Sequence, residues 1–212
     1  GKSQFELSLM TVNYGDISLS NLYANLFGNQ NMFRLTAFSG DVFDGQINAT
    51  ASLNMQGPEP QFNAEYSMTD IDLSTVIKSM EDIKIGGKFN LETAIKGSGN
   101  TTESILESLD GWGEVKIENP SYIGFNLEQT LCNAAAIFGG KPIPKTTWSD
   151  NTVLDDLTGK LRFNQGRLLL SDYKTNLDHI DIYGNASLNL STLRYSLNTT
   201  ALATQSTSSA KG

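Results

Sequence analysis

Histidine and cysteine are almost absent from these 212 residues, with one of each, and proline is held to 5. One cysteine excludes an internal disulfide and a cysteine-based metal site. Cys132, in an Ala-rich helical stretch, reads as a small buried hydrophobe rather than a reactive thiol. One histidine means that any Ser-His-Asp arrangement must pass through His179, and no G-x-S-x-G elbow accompanies it. His179 therefore reads as an exposed residue at a strand end. The adjacent carboxylates Glu81-Asp82 and Asp155-Asp156 fall in loops, where they solvate rather than divide acid and base roles. A Gly-rich phosphate loop, an EF-hand and a His/Cys ligand spacing are all missing. The expectation is a protein that is not an enzyme and holds no cofactor and no metal.

Positive charge is also scarce. Lys and Arg number 15 against 23 Asp and Glu, a net charge of −8. Without basic clusters the chain has no electrostatic footprint for nucleic acid, and its acidity disfavours lying flat on anionic lipid. No apolar run approaches the ~20 residues that cross a bilayer. The start Gly1-Lys2-Ser3 carries no signal-peptide core and reads as cut, with any targeting segment upstream.

What the chain has in quantity is period-two alternation. Ile47, Ala49, Ala51, Leu53 and Met55 alternate with Gln46, Asn48, Thr50, Ser52 and Asn54, just after an Asp44-Gly45 hairpin signal. Phe62, Ala64, Tyr66 and Met68 repeat the pattern, as do Phe89, Leu91, Thr93 and Ile95, and later Ile180, Ile182, Gly184, Ala186, Leu188 and Leu190. The segments at Gly45 and at Asp181 both end in Ala-Ser-Leu-Asn, which internal repetition or convergence on β pattern would both explain. Asn21 to Gln30 is ambiguous, because Leu22, Tyr23 and Leu26 could share a helical face. Three helices are expected, over Ser74 to Met80, Thr101 to Leu109 and Leu127 to Phe138, the last with Leu127, Leu131, Ala134, Ala135 and Phe138 on one side. Asn100 is the expected N-cap of the second, with Glu103 reaching back to it, and Gly111 its left-handed stop. Trp112 then reads as packing across that cap, the alternative being carbohydrate stacking or a membrane interface.

The order of these pieces resembles the C-terminal region of the AsmA family of bacterial envelope proteins. The resemblance rests on a Ser-rich short helix, Leu109-x-Gly111, an alternating strand, and Ile123-Gly124-Phe125-Asn126-Leu127, with Asn126 where the family usually has Asp. It extends through Val42-Phe43-Asp44-Gly45, Leu157-Thr158-Gly159, Leu161 to Tyr173 and Gly184 to Tyr195, covering nearly all of the chain from Phe33 to Leu197. Departures are Thr147-Trp148 for Thr-x-Phe and Ala186 for a second Gly. These motifs hold no reactive group.

The fold expected is α+β and β-dominated: a long, curved, mostly antiparallel sheet with a few short helices on one face, over residues 1–202, then a polar disordered tail over 203–212. The resemblance implies a periplasmic portion of a protein anchored in the inner membrane through an N-terminal segment missing from this chain, serving outer-membrane biogenesis and phospholipid transport between membranes. Its implied partners are phospholipid acyl chains, the inner membrane and outer-membrane assembly components. On that reading Ile47, Ala49, Ala51, Leu53, Phe89, Leu91, Ile182 and Leu188 are the candidates to line a lipid groove. The competing reading of these residues makes them ordinary core positions beneath the helices; the alternative function is a secreted or surface β-rich binding module such as an adhesin or glycan-binding domain. A β-helix lyase would need clustered Asp and Lys or Arg that the linear order does not show.

Overall fold

The computed structural model describes residues 2–15, 17–76, 84–178 and 180–203. Its strands form one antiparallel twelve-stranded sheet. In chain order they are β1 (Ser3–Tyr14), β2 (Ile17–Gly28), β3 (Met32–Val42), β4 (Gly45–Asn54), β5 (Gln61–Asp72), β6 (Ile85–Ser98), β7 (Asp110–Ile123), β8 (Asn151–Val153), β9 (Leu157–Asn164), β10 (Arg167–Leu177), β11 (Ile180–Asn189) and β12 (Tyr195–Ala203). Each pairs with the next, except that short β8 takes the far end of β7 while β9 takes the rest. Helix α1 (Leu73–Val76) lies between β5 and β6, α2 (Thr102–Ser108) between β6 and β7, and α3 (Leu127–Phe138) between β7 and β8. The fold is the β-dominated one expected from the alternation.

Local chemistry explains the up-and-down path. Val42 pairs with Gly45, leaving Phe43 (φ 48°) and Asp44 (φ 60°) as a two-residue turn, and Asn164 pairs with Arg167 around Gln165 (φ 47°) and Gly166 (φ 73°). Two consecutive positive φ values make type I′ turns, whose twist matches that of paired strands. The Ala-Ser-Leu-Asn strand ends also agree: Asn54 Oδ1 accepts from the Gln56 N–H, and Asn189 Oδ1 accepts from Ser191 and Thr192 N–H. In both places the asparagine folds the chain back on itself.

Four strands carry an Asn or Asp in the left-handed region inside a register shift: Asn21 (φ 51°) on β2, Asp70 (φ 57°) on β5, Asn119 (φ 46°) on β7 and Asp172 (φ 51°) on β10. Such bulges move the alternation by one residue. In β2 this keeps Leu19, Leu22, Ala24 and Leu26 on one side, a spacing that imitates a helix in the sequence. The ambiguous segment is strand.

The helix details differ from expectation. Thr101 is the N-cap of α2, accepting from the Ser104 N–H at 3.1 Å, while Ser104 Oγ accepts from the Thr101 N–H. Asn100 instead donates to the Pro58 carbonyl at 3.3 Å. Gly111 lies inside β7 and ends no helix. On α3 the buried residue is Ala136, while Ala135 is exposed and Phe138 is 91% exposed, so the contact side is turned from the one the periodicity suggested. The end of the first expected helix, the Glu81-Asp82 pair, His179 and residues after Ala203 lie outside the described residues.

Only Val42, Ile71, Leu109, Ala136, Tyr173 and Leu177 are buried hydrophobics among the described residues, and no large side chain is fully buried. By size scaling a closed globule of 23.1 kDa would expose roughly 9,700 Å². This chain exposes 14473 Å². Among the described residues the sheet is a single layer: α1 and α2 pack chiefly on β6 and α3 on β8, and no second sheet covers it.

Candidate functional site

Strand register carries one apolar row across the whole sheet: Leu7, Ala24, Phe38, Ala49, Tyr66, Thr93, Gly113, Leu161, Leu170, Ala186 and Leu197 are successive cross-strand partners. A second row beside it runs Phe5, Leu26, Leu35, Ala51, Ala64, Ile95, Gly111, Phe163, Leu168, Leu188 and Tyr195. At ~4.8 Å between strands the rows span about 50 Å. Alternation put apolar residues at every second position, and the bulges and two-residue turns kept every strand in phase.

All of the candidate groove residues fall on this face. Ala49 lies in the first row, Ala51 and Leu188 in the second, Ile47 and Leu91 on either side of Met68, Leu53 between Phe33 and Phe62, Phe89 between Ile71 and Ile117, and Ile182 between Thr175 and Ala201. None is buried; each is half-buried. They share a face but not one spot, since β4 and β11 are about 30 Å apart at that strand spacing. Phe38, Tyr66, Met68, Ile95, Val115, Leu161, Phe163, Leu168 and Leu170 belong to the same surface and were not singled out. Their parity within each strand was the signal that would have found them.

The face stays apolar where it contains polar atoms. Thr93 is 4% exposed, and its hydroxyl donates to the Trp112 carbonyl at 2.6 Å, leaving its methyl on the face. Burial raises the Tyr66 phenol above its ordinary value, as expected where a charged phenolate would lose water. At β7 both apolar rows carry glycine. A Cβ on Gly113 would stand 2.8 Å from the Glu92 carbonyl oxygen, and one on Gly111 would overlap the Ala94 carbonyl and approach Ile95 Cα to 2.9 Å. Both positions belong to the apolar rows, and only a hydrogen there leaves room for the neighbouring β6 backbone.

The opposite face is polar and carries ion pairs: Lys88 with Asp72, Lys96 and Arg162 with Asp110, and Lys116 with Glu118 and Asp156. Hydrogen bonds from Ser74 and the charge of Lys88 hold the Asp72 carboxyl below its ordinary range. Folding lowers this pKa, so the stability it contributes is present above ~pH 4 and is lost as pH falls through the folded-state value. In a carboxyl-carbon NMR titration Asp72 should titrate below a typical aspartate, and Ser74→Ala should move it up. An unchanged midpoint in the variant would refute the assignment. Asp156 is also lowered, by the Asn119 N–H and then by Lys116, so of the carboxylates weighed as acid and base it is one committed to an ion pair.

A family model for the AsmA family matches residues 2–173. The chain belongs to the AsmA family. No curated protein and no solved structure matches it. Membership is consistent with an envelope-associated, lipid-related role in outer-membrane biogenesis. The match ends at Tyr173, yet the apolar rows of this AsmA-family chain continue through β11 and β12. Among the described residues no helix is long and apolar enough to cross a membrane, and no group of three or more His, Cys, Asp or Glu is placed to hold a metal ion.

Proposed function

We propose that this AsmA-family chain holds phospholipid acyl chains along its apolar face and so supports phospholipid transport between membranes in outer-membrane biogenesis. It does so as the periplasmic portion of a protein anchored in the inner membrane. The observation that carries the reading is the pair of apolar rows that cross the sheet with no second layer over them. Acyl chains lying on such a surface leave water at ~0.8 kcal/mol per buried CH₂, while headgroups stay wet. Small residues at Ala49, Ala51 and Ala64 leave room for them. The chain acts by burial, without catalysing a reaction.

Purification from a membrane-containing lysate without detergent, followed by native mass spectrometry, tests this. Phospholipid at a fixed stoichiometry is the expected result. A stably folded, lipid-free chain would assign transport elsewhere and leave this portion as a scaffold or cap.

A further inference from the structure

Trp112 does not pack across the α2 cap. It stands on the polar face, 54% exposed, in the cross-strand row Thr50, Glu65, Ala94, Trp112 and Arg162. From β4 to β9 it is the one aromatic of that face among the described residues. Its neighbour Ala94 is too small to cover the indole. Trp112 and Glu65 together border two depressions, of about 480 Å³ and about 400 Å³. The first also exposes Asn48 and Glu92, and the second Asn63 and Arg162. Arg162 is engaged with Asp110, but among the described residues Asn48, Glu65 and Glu92 have no side-chain partner. An indole left half open between uncommitted hydrogen-bonding groups offers a ligand a stacking surface and hydrogen-bond partners side by side.

We propose that the polar face at Trp112 binds a neutral oligosaccharide. The ligand class follows from what the site has. Free carboxylates at Glu65 and Glu92 repel an anionic ligand and accept hydrogen bonds from hydroxyls. A single aromatic cannot form the cage that holds a quaternary ammonium. An acyl chain lying there would strip water from the uncommitted side chains of Asn48, Glu65 and Glu92 and offer no hydrogen bond in return, which disfavours it. A neutral sugar ring presents an apolar C–H face to stack on the indole and a rim of hydroxyls for Glu65, Glu92 and Asn48, and the depressions on either side hold adjacent units. Strand parity puts the Trp112, Glu65 and Glu92 side chains on the side opposite the apolar rows, although Phe38, Ala49 and Tyr66 of the first row also border the first depression.

The test is titration of the full chain with chitotetraose and, separately, cellotetraose, read at the two indole N–H signals by NMR. The Trp112 signal should shift saturably while that of Trp148 stays in place. Trp112→Ala should weaken binding by about tenfold or more, the loss of one stacking contact, with the circular dichroism unchanged. Glu65→Gln should weaken it less. The proposal is overturned by a Trp112 signal that no oligosaccharide moves at millimolar concentration, by binding that Trp112→Ala leaves intact, or by a Trp112 signal that responds only to phosphatidylethanolamine and phosphatidylglycerol vesicles.

Discussion

Ala51→Glu should strip phospholipid from the chain and leave it folded. Ala51 stands in the second apolar row between Leu35 and Ala64, half-buried, with the small Ala64 side chain leaving space for a longer one. In the lipid-free sheet the new carboxylate reaches water, so the cost to folding is small. With acyl chains in place it must lose that water. Burying an unpaired polar group costs at least ~2 kcal/mol, and more when it is charged, so affinity should fall by more than about tenfold. Thr50→Glu, one residue away on the exposed polar face, is the matched control and should keep its lipid. Lipid occupancy by native mass spectrometry, with thermal unfolding alongside, separates the outcomes. Equal occupancy in both variants would mean that lipid does not lie on the apolar rows.

Gly184→Val should open one end of the sheet and leave the other end intact. The Tyr173 side chain crosses Gly184 to reach β12, where its hydroxyl donates to the Asn198 carbonyl at 3.2 Å and bonds Thr199 Oγ1. A Cβ on Gly184 would overlap the Asn198 oxygen and stand 2.7 Å from Tyr173 Oη. Valine therefore cannot enter unless Tyr173 withdraws or β12 detaches, a disruption of about 3 kcal/mol or more. The sheet is one layer deep and each strand touches only its neighbours, so the damage should stay local, as in repeat proteins. Hydrogen exchange should show lost protection over β11 and β12 with β3 to β5 unchanged. Uniform destabilisation would mean that a shared core links the two ends. Tyr173→Phe removes the hydroxyl but keeps the ring, and should cost only about 1 kcal/mol.

These glycines also explain why the family motifs read as scaffold. Gly184 makes way for Tyr173. Gly45, at the end of a type I′ turn, makes way for the β5 bulge, since a Cβ there would run into the backbone from Thr69 to Ile71. Gly111, read from the sequence as a helix stop, makes way for the β6 backbone at Ala94 and Ile95. Each motif marks a close approach of two strands distant enough in sequence that no local pattern announces it.

Alternation, by itself, determined the strands and their inward residues, because a strand's two faces are written at every second residue. It also determined β11, which lies past the family match, and the phase that brings Ile47, Ala49, Ala51, Leu53, Phe89, Leu91, Ile182 and Leu188 to one face. Phase slips at Asn21, Asp70, Asn119 and Asp172, where one left-handed residue moves the register, and again between Leu35 and Phe38; at Asn21 the strand counterfeits a helix. What only the tertiary structure decided is what covers each face. Sequence makes a residue apolar but does not say whether helices will roof it, and here they settle at the strand ends. Whether Trp112 packs or stands open depended equally on its cross-strand neighbour, Ala94, eighteen residues earlier in the chain and too small to shield it.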